Sequence, residues 1–213
     1  MSNFSGLAFS IVLALAAIAA ALVCARARPP ARGYARFAFA LYFTVAAANA
    51  AGIVSGGTTV PRIAMALSQM VAALGPVALA LAVAAARGLR PSAGIAGIAL
   101  VAACLCAIAA VVTGLAVLAF APLLLSAIAI AIVSLRQWRT ARDAALYAVA
   151  SAFALVAGAA SSMNTGAGGV TGSVLFCAAA LLGFSLALVR ASRAFVEPQA
   201  PADLRILPVS RDH

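Results

Sequence analysis

The chain has very few acidic residues, one histidine and no lysine. Its only acids are Asp143, Glu197, Asp203 and Asp212, and its only histidine is the last residue, His213. All five stand in segments that we predict to be loop or tail. Carboxylates and histidines inside a membrane are the usual proton relays and cation ligands. Their absence from the predicted spans argues against proton pumping, sodium coupling through carboxylates, and histidine-ligated haem or zinc.

The same shortage leaves general acid–base catalysis without a suitable group. Such catalysis needs a side chain that titrates near neutral pH. Arginine stays protonated, and a tyrosine phenol, of which the chain has three, ordinarily titrates at about pH 10. A serine nucleophile such as Ser161 or Ser162 would have no base to activate it. We therefore expect no enzymatic activity, no catalytic residue and no cofactor.

The four cysteines, Cys24, Cys104, Cys106 and Cys177, all fall within apolar segments. This placement predicts no disulfide framework. Residues two apart on a helix point about 200° away from each other, so Cys104 and Cys106 cannot hold one soft metal ion together. We predict that the cysteines are small buried apolar residues and that the chain has no metal site.

Apolar residues and arginine dominate what remains. Apolar residues make up 66% of the chain and the mean hydropathy is +1.16, far above an ordinary soluble domain, in which apolar usage is about 45–50%. Every arginine except Arg62 lies in Arg26–Arg36, Arg87–Arg90, Arg136–Asp143 or the tail from Arg190. Positive charge confined to the flanks of apolar segments indicates membrane threading, with the lipid bilayer as partner, and not nucleic-acid binding.

Apolar segments long enough to cross a bilayer recur along the chain. The longest apolar run, Gly94–Leu135, would form a helix of about 63 Å, twice the bilayer core. We divide it at the turn-like pair Thr113-Gly114. The sequence thus predicts an all-α polytopic membrane protein with seven transmembrane helices, near residues 7–25, 37–55, 63–86, 95–112, 117–135, 144–162 and 171–189.

The arginine clusters also predict how the chain is threaded. Seven spans with all four clusters on one face require the N-terminus outside and the C-terminus inside, with the arginine-rich loops cytoplasmic in the plasma (inner) membrane. Met1–Ser10 carries no positive charge, so we read the first span as a retained helix and not a cleaved signal peptide. Residues 1–190 would form one membrane domain, followed by a polar cytoplasmic tail at 191–213.

An internal repeat emerges when residues 13–60 are aligned without a gap to residues 123–170. Nine positions other than alanine are identical in this repeat alignment, among them Arg26/Arg136 and Phe43/Phe153. The prediction is a repeat A at 7–86, a linker helix at 95–112 and a repeat B at 117–189. Because equivalent helices stand an even number of spans apart, the repeats would be parallel and related by an axis along the membrane normal.

This three-one-three plan resembles that of SWEET-type sugar facilitators, PQ-loop transporters and microbial rhodopsins. The resemblance is one of architecture and covers the whole chain, but no family motif accompanies it. The predicted spans contain neither a Pro-Gln dipeptide nor the lysine that would hold retinal. No functional residue is therefore carried over from these families.

Neutral polar residues form stripes on the second, third and sixth predicted spans. At helical spacing, Tyr42 shares a face with Asn49, and Gln69 shares one with Pro76. The stripe on the sixth span includes Ser151 and Ser162. Such stripes should face protein or water, because lipid offers no hydrogen bonds. They are explained either by helix packing or by a solute path. The predicted solute-lining residues are Tyr42, Asn49, Ser68, Gln69, Pro76, Ser151 and Ser162.

Prolines inside two spans give a further prediction. Pro76 and Pro122 remove backbone hydrogen bonds and so free the carbonyls of Ala72 and Leu118. Those carbonyls could bind a solute, or the prolines could only shape the packing.

Two functions stay open at this point. The first is a small uncoupled permease, or facilitator, for a neutral or weakly charged solute. The alternative is a membrane-embedded sensor, regulator or accessory subunit, with a second copy or another membrane protein as its partner. The first requires a polar cavity and the second requires solid packing, so the position of Asn49 and Gln69 separates them.

Overall fold

A computed structural model describes residues 3–55, 59–89, 91–115, 117–136, 138–162 and 167–194. These residues form seven α-helices, each long and apolar enough to span a bilayer. The prediction of an all-α chain with seven helices of membrane-spanning length is confirmed for this part of the chain. The helices are α1 (Asn3–Cys24), α2 (Ala31–Ser55), α3 (Thr59–Ala86), α4 (Ala93–Thr113), α5 (Val117–Arg136), α6 (Arg142–Ser162) and α7 (Ala167–Ala194).

The long apolar run is divided where the sequence predicted. Helix α4 ends at Thr113, and Gly114 follows with a φ of 71°, a left-handed conformation that glycine adopts without strain. The Thr113 hydroxyl donates to the carbonyl of Ala109 at 2.7 Å and accepts from the backbone N–H of Leu115 at 3.3 Å. These two bonds stabilise the end of the helix and the start of the turn.

Two helices run further than their apolar segments. Helix α2 begins at Ala31, before the predicted span at 37–55, and α7 continues to Ala194, past 171–189. Arginine is a good helix former, so a charged turn marks the edge of the hydrocarbon layer and not the end of the helix. Residues 195–213, which hold most of the predicted tail, lie outside the described residues.

Six of the helices form a closed ring. Its order is α1, α2, α3, α5, α6, α7 and back to α1, because each of these helices packs against the next. Helix α4 packs against α3 and α5 from outside. Its outward face carries exposed apolar side chains, including Ile98 and Val112, as expected for a lipid-facing surface.

Small residues let the ring helices approach closely. A Cβ atom at Gly158 of α6 would lie only 3.2 Å from the carbonyl oxygen of Ser173 in α7. At Gly75 of α3, a Cβ atom would lie 2.8 Å from the ring of Tyr42 in α2. Contacts of this kind hold membrane helices together by van der Waals packing and not by exclusion of water.

The two ends of the ring differ in charge. We call the end at which α1, α3, α5 and α7 finish the arginine end, and the other the opposite end. The opposite end carries Arg62, whereas the described arginines of the arginine end are Arg26, Arg28, Arg32, Arg36, Arg87, Arg136, Arg139, Arg142, Arg190 and Arg193.

Candidate functional site

A cavity of about 470 Å³ occupies the centre of the ring. Each of the six ring helices contributes to its wall, and α4 contributes no described residue. We call it the central cavity. It lies in the half of the ring away from the arginine end, since its lining residues on α1, α3, α5 and α7 come from the first two thirds of each helix.

The structure brings six of the seven predicted solute-lining residues to this one cavity. Helix α2 contributes two of them, α3 three and α6 one. The separation of seven residues between Tyr42 and Asn49 places both on the inner face of α2. The six residues are Tyr42, Asn49, Ser68, Gln69, Pro76 and Ser162.

The seventh predicted residue, Ser151, lies elsewhere. It stands 11 residues before Ser162, about 16 Å nearer the arginine end. Its hydroxyl donates to the carbonyl of Tyr147 at 2.6 Å, and the side chain is buried against Gly183 of α7. Ser151 is therefore part of the α6–α7 packing and is not among the residues that line the cavity.

The polar groups of the cavity differ in how they are bonded. The hydroxyls of Ser68 and Ser162 donate to carbonyls of their own helices, those of Met65 and Ala159, both at 2.7 Å. In the bilayer, such back-bonding is the usual way for a serine to satisfy its proton. Each oxygen keeps a lone pair that can accept a further hydrogen bond.

The two amides and the tyrosine are not bonded in this way. Among the described residues, the side chains of Asn49, Gln69 and Tyr42 form no hydrogen bond. The Oε1 atom of Gln69 is buried and has no partner there. These side chains are therefore not fixed by interhelical hydrogen bonds, and all three residues line the cavity.

One of the two mid-helix prolines belongs to the cavity. Pro76 and Ala72, whose carbonyl it leaves without the usual helical partner, both line the wall. Pro122 and Leu118 do not line it, although Pro122 is buried in α5. Only the proline of α3 therefore frees a carbonyl of a residue that lines the cavity. Solute binding by a freed carbonyl stays a prediction for this helix alone.

Toward the arginine end the ring holds large buried side chains. Between the level of Tyr42 and Pro76 and that end, four ring helices contribute fully buried residues to one hydrophobic core cluster. They are Phe39, Leu79, Ile130, Leu181 and Phe184. These side chains stand between the described lining of the cavity and the arginine end.

A second cavity, of about 450 Å³, adjoins the first toward the opposite end. It is bounded by α1, α2 and α3, with Val174 from α7. Both cavities share Asn49 and Ser68. A molecule that moved from one to the other would therefore pass these two side chains.

No charged side chain among the described residues lines either cavity. The most buried arginine, Arg87, is 2% exposed and lies at the arginine end, where its Nη1 donates to the carbonyl of Ser134 at 3.4 Å. Burial lowers the pKa of the Arg87 guanidinium, but arginine still carries its charge at neutral pH. The lining residues that the structure describes therefore carry no charge.

Some residues that line the central cavity were not predicted from the sequence. Ser173 and Cys177 of α7 line the cavity, as do apolar residues such as Phe120, Leu123 and Leu155. An apolar side chain that faces a cavity looks the same in sequence as one that faces lipid. Only the repeat alignment held a signal, because it pairs Leu123 and Leu155 with Leu13 and Val45, which also line the cavity.

The cysteines do not gather around a metal. All four are free, and the described residues contain no group of three or more potential metal ligands among His, Cys, Asp and Glu. Cys104 and Cys106 lie on α4, outside the ring, whereas Cys177 faces the cavity and Cys24 is buried near the arginine end.

Comparisons with known proteins identify no relative of this chain. The chain matches no protein-family model, no curated protein and no solved structure. The central cavity and its chemistry are therefore the main guides to function.

Proposed function

We propose that the protein is an uncoupled facilitator for a neutral solute, with the central cavity as its binding site. The observation that carries this proposal is the meeting of Asn49 and Gln69 in one cavity without hydrogen bonds to other described residues. A primary amide offers two donors and two acceptor lone pairs, which suits recognition of uncharged polar groups.

The bonding of Gln69 speaks against the scaffold alternative. In a scaffold, this amide should join two helices by a hydrogen bond. Its Oε1 is instead buried without a partner among the described residues, an arrangement that costs about 1–3 kcal/mol. An unsatisfied buried polar group in a native structure calls for an explanation, and a functional site is one.

The parallel repeat finds support in the order of the ring. A two-fold axis that exchanges α1 with α5 and α3 with α7 turns the α3–α5 contact into the α7–α1 contact, and both contacts are present. Helices α3 and α7 each have 28 residues and each carries a glycine past its middle, Gly75 and Gly183, although the repeat alignment pairs Gly75 with Ser185. Each of these glycines faces the preceding helix, at Tyr42 and Ser151 respectively.

Equivalent positions of the two halves also meet at the cavity. In the repeat alignment, Leu13 corresponds to Leu123 and Val45 to Leu155, and all four line it. Transporters commonly place their site at such a repeat interface. This supports a pathway between two three-helix units, although the analogy concerns architecture only.

The positive-inside rule gives the proposal a direction. With thirteen arginines on one side against Arg62 on the other, the arginine end would face the cytoplasm of the plasma (inner) membrane. The central cavity would then open outward, and solute release inside would require Phe39, Phe184 and their neighbours to separate.

The large buried side chains toward the arginine end also fit a second candidate, a membrane sensor. A sensor would hold the solute in the same cavity and pass the signal to a partner without releasing the molecule. The two candidates therefore share a site and differ in flux.

Proteoliposome uptake separates them. With radiolabelled glycerol, acetamide and adenosine as neutral probes, we expect uptake of at least one to exceed that of empty liposomes. Asn49→Ala and Gln69→Ala should lower it about tenfold, the effect of about 1.4 kcal/mol of lost binding. The matched control is Leu124→Ala, because Leu124 is 49% exposed and does not line the cavity.

The expected uptake is independent of a proton gradient, because the predicted spans hold no group that titrates between about pH 5 and 8. Uptake that requires a proton gradient would overturn the uncoupled mechanism. Binding without uptake would favour the sensor.

A further inference from the structure

The geometry points to a more specific ligand: an uncharged ring compound with an apolar body and several hydrogen-bond donors along one edge. This inference rests on the proposed function only in taking the central cavity as the binding site. It follows from an asymmetry between the two sides of the cavity.

One side of the cavity is polar. Tyr42 and Asn49 on α2 face it together with Ser68 and Gln69 on α3. The α3 residues lie on one helical face that continues to Ala72, one turn further on. Helices α2 and α3 pack against each other, so these groups form a continuous polar wall.

This polar wall offers acceptors that have no proton of their own to donate into the cavity. The proton of Ser68 is already donated to the carbonyl of Met65, so its oxygen can only accept. The carbonyl of Ala72 lacks its helical partner because of Pro76. The amides of Asn49 and Gln69 and the phenol of Tyr42 can both donate and accept. Hydroxyl and N–H groups of a bound molecule would therefore find acceptors along this wall.

The other side of the cavity is less polar. It is formed by α5, α6 and α7, with Phe120, Leu123 and Leu155 among its residues. It carries no amide, and its polar side chains are the small groups of Ser162, Ser173 and Cys177. The repeat alignment makes the contrast explicit, because Ala159 of α6 takes the place of Asn49, and both line the cavity. An aromatic side chain within an apolar wall favours a flat ring, which can stack on it or meet its edge.

Size and charge narrow the class further. A volume of about 470 Å³ lies within the range of small-molecule sites. A simple polyol would leave the apolar wall facing polar groups, and an ion would lose its hydration without a counter-charge from any described lining residue. The remaining class is neutral, ring-bearing and rich in donors, and nucleosides have this chemistry.

Equilibrium dialysis against purified protein in nanodiscs tests the inference with a matched set of probes. Adenosine has the ring and the donors, AMP adds charge, ribose lacks the ring, and 2′,3′,5′-tri-O-acetyladenosine lacks the sugar donors. We expect adenosine to bind at least tenfold more tightly than each of the other three. Equal binding of AMP, ribose or the acetylated compound would overturn the corresponding part of the inference, and no adenosine binding would overturn all of it.

Variants assign the two walls. Gln69→Ala should weaken adenosine binding at least fivefold. It should also reduce the ratio between the affinity for adenosine and the affinity for the acetylated compound. Phe120→Ala should weaken adenosine but not ribose, and Leu124→Ala should change neither. If a variant does not fold, Ser68→Ala and Leu123→Ala replace them at the same walls. Unchanged selectivity in folded variants of both walls would contradict the assignment.

The outcomes distinguish this inference from the proposed function. Selective adenosine binding without uptake into proteoliposomes would retain the ligand class and reject the facilitator. Uptake of glycerol or acetamide that depends on Asn49, together with no adenosine binding, would retain the facilitator and reject the ligand class.

Discussion

The two halves of the ring are built from the same six helices and pack differently. Toward the arginine end, large side chains such as Phe39, Phe184 and Leu181 are fully buried in one hydrophobic core cluster. In the other half, the inward positions carry amides and hydroxyls beside apolar groups, and the helices enclose a cavity. Helix packing sets the frame, and the size and polarity of a few inward side chains decide whether it becomes a core or a site.

This difference has a physical basis in the bilayer. Lipid tails are as apolar as leucine, so helices gain little by hiding apolar side chains from lipid. Close packing and hydrogen bonds must hold them together. The packed half supplies these contacts, so it should carry most of the stability, and the cavity half should carry less.

The largest expected effect is in the packed half. Phe184→Ala should lower the free energy of unfolding by about 3 kcal/mol or more, because it removes a fully buried ring and leaves a void. The measurement is unfolding in mixed micelles by a denaturing detergent. The control is Phe153→Ala, since Phe153 is 70% exposed on the outer surface. Equal losses for both variants would contradict the division of the ring into a packed half and a cavity half.

A smaller effect is expected at the contact between α6 and α7. Gly183→Ala would place a methyl group against the hydroxyl oxygen of Ser151 and disturb its hydrogen bond to the carbonyl of Tyr147. We expect a loss of about 1–2 kcal/mol, the cost of a strained or lost buried hydrogen bond. The double variant with Ser151→Ala should recover part of the loss in the same assay. No recovery would mean that the backbones, and not this hydroxyl, set the distance between the helices.

The opposite sign is expected in the cavity half. Gln69→Leu should raise the free energy of unfolding by about 1 kcal/mol, because it removes a buried acceptor that has no partner among the described residues. Uptake and ligand binding should fall at the same time. A variant that loses both stability and uptake would instead indicate that Gln69 holds two helices together.

The smallest effect is expected at the arginine end. Arg190 donates to Asp143 at 3.2 Å, but their side chains are 45% and 72% exposed. Exposed ion pairs contribute little, so Asp143→Asn should change the free energy of unfolding by less than about 0.5 kcal/mol. Arg190 also lies 4.7 Å from the ring centroid of Tyr147, a contact that this change leaves in place. A larger loss would show that this end contributes more to stability than its exposure implies.

Much of the fold could be predicted because its signals are local. Apolar length located all seven helices, and Thr113-Gly114 divided the longest run correctly. The ends of α2 and α7 could not be placed as well, because arginines mark the membrane boundary and the helix continues past it. The order of the helices in the ring was not predicted, since it depends on contacts between segments distant in sequence.

The candidate site was predictable in part for a similar reason. Helical periodicity identified the inner faces of α2 and α3, because polar residues there stand out against apolar neighbours. Periodicity alone could not exclude Ser151, which bonds to its own helix in a tight packing contact. Periodicity also could not identify Phe120 as a lining residue. An apolar side chain that faces a cavity and one that faces lipid follow the same sequence pattern.

Two native cysteines allow the most direct test of the difference between the two halves. Cys177 lines the central cavity, whereas Cys24 is 0% exposed near the arginine end. In a variant with Cys104→Ser and Cys106→Ser, the neutral, water-soluble reagent 2-hydroxyethyl methanethiosulfonate is added to the purified protein, and mass spectrometry follows each thiol. A cavity reached by water predicts that Cys177 reacts at least tenfold faster than Cys24 and that a bound ligand protects it. Equal rates, or faster reaction of Cys24, would contradict the account.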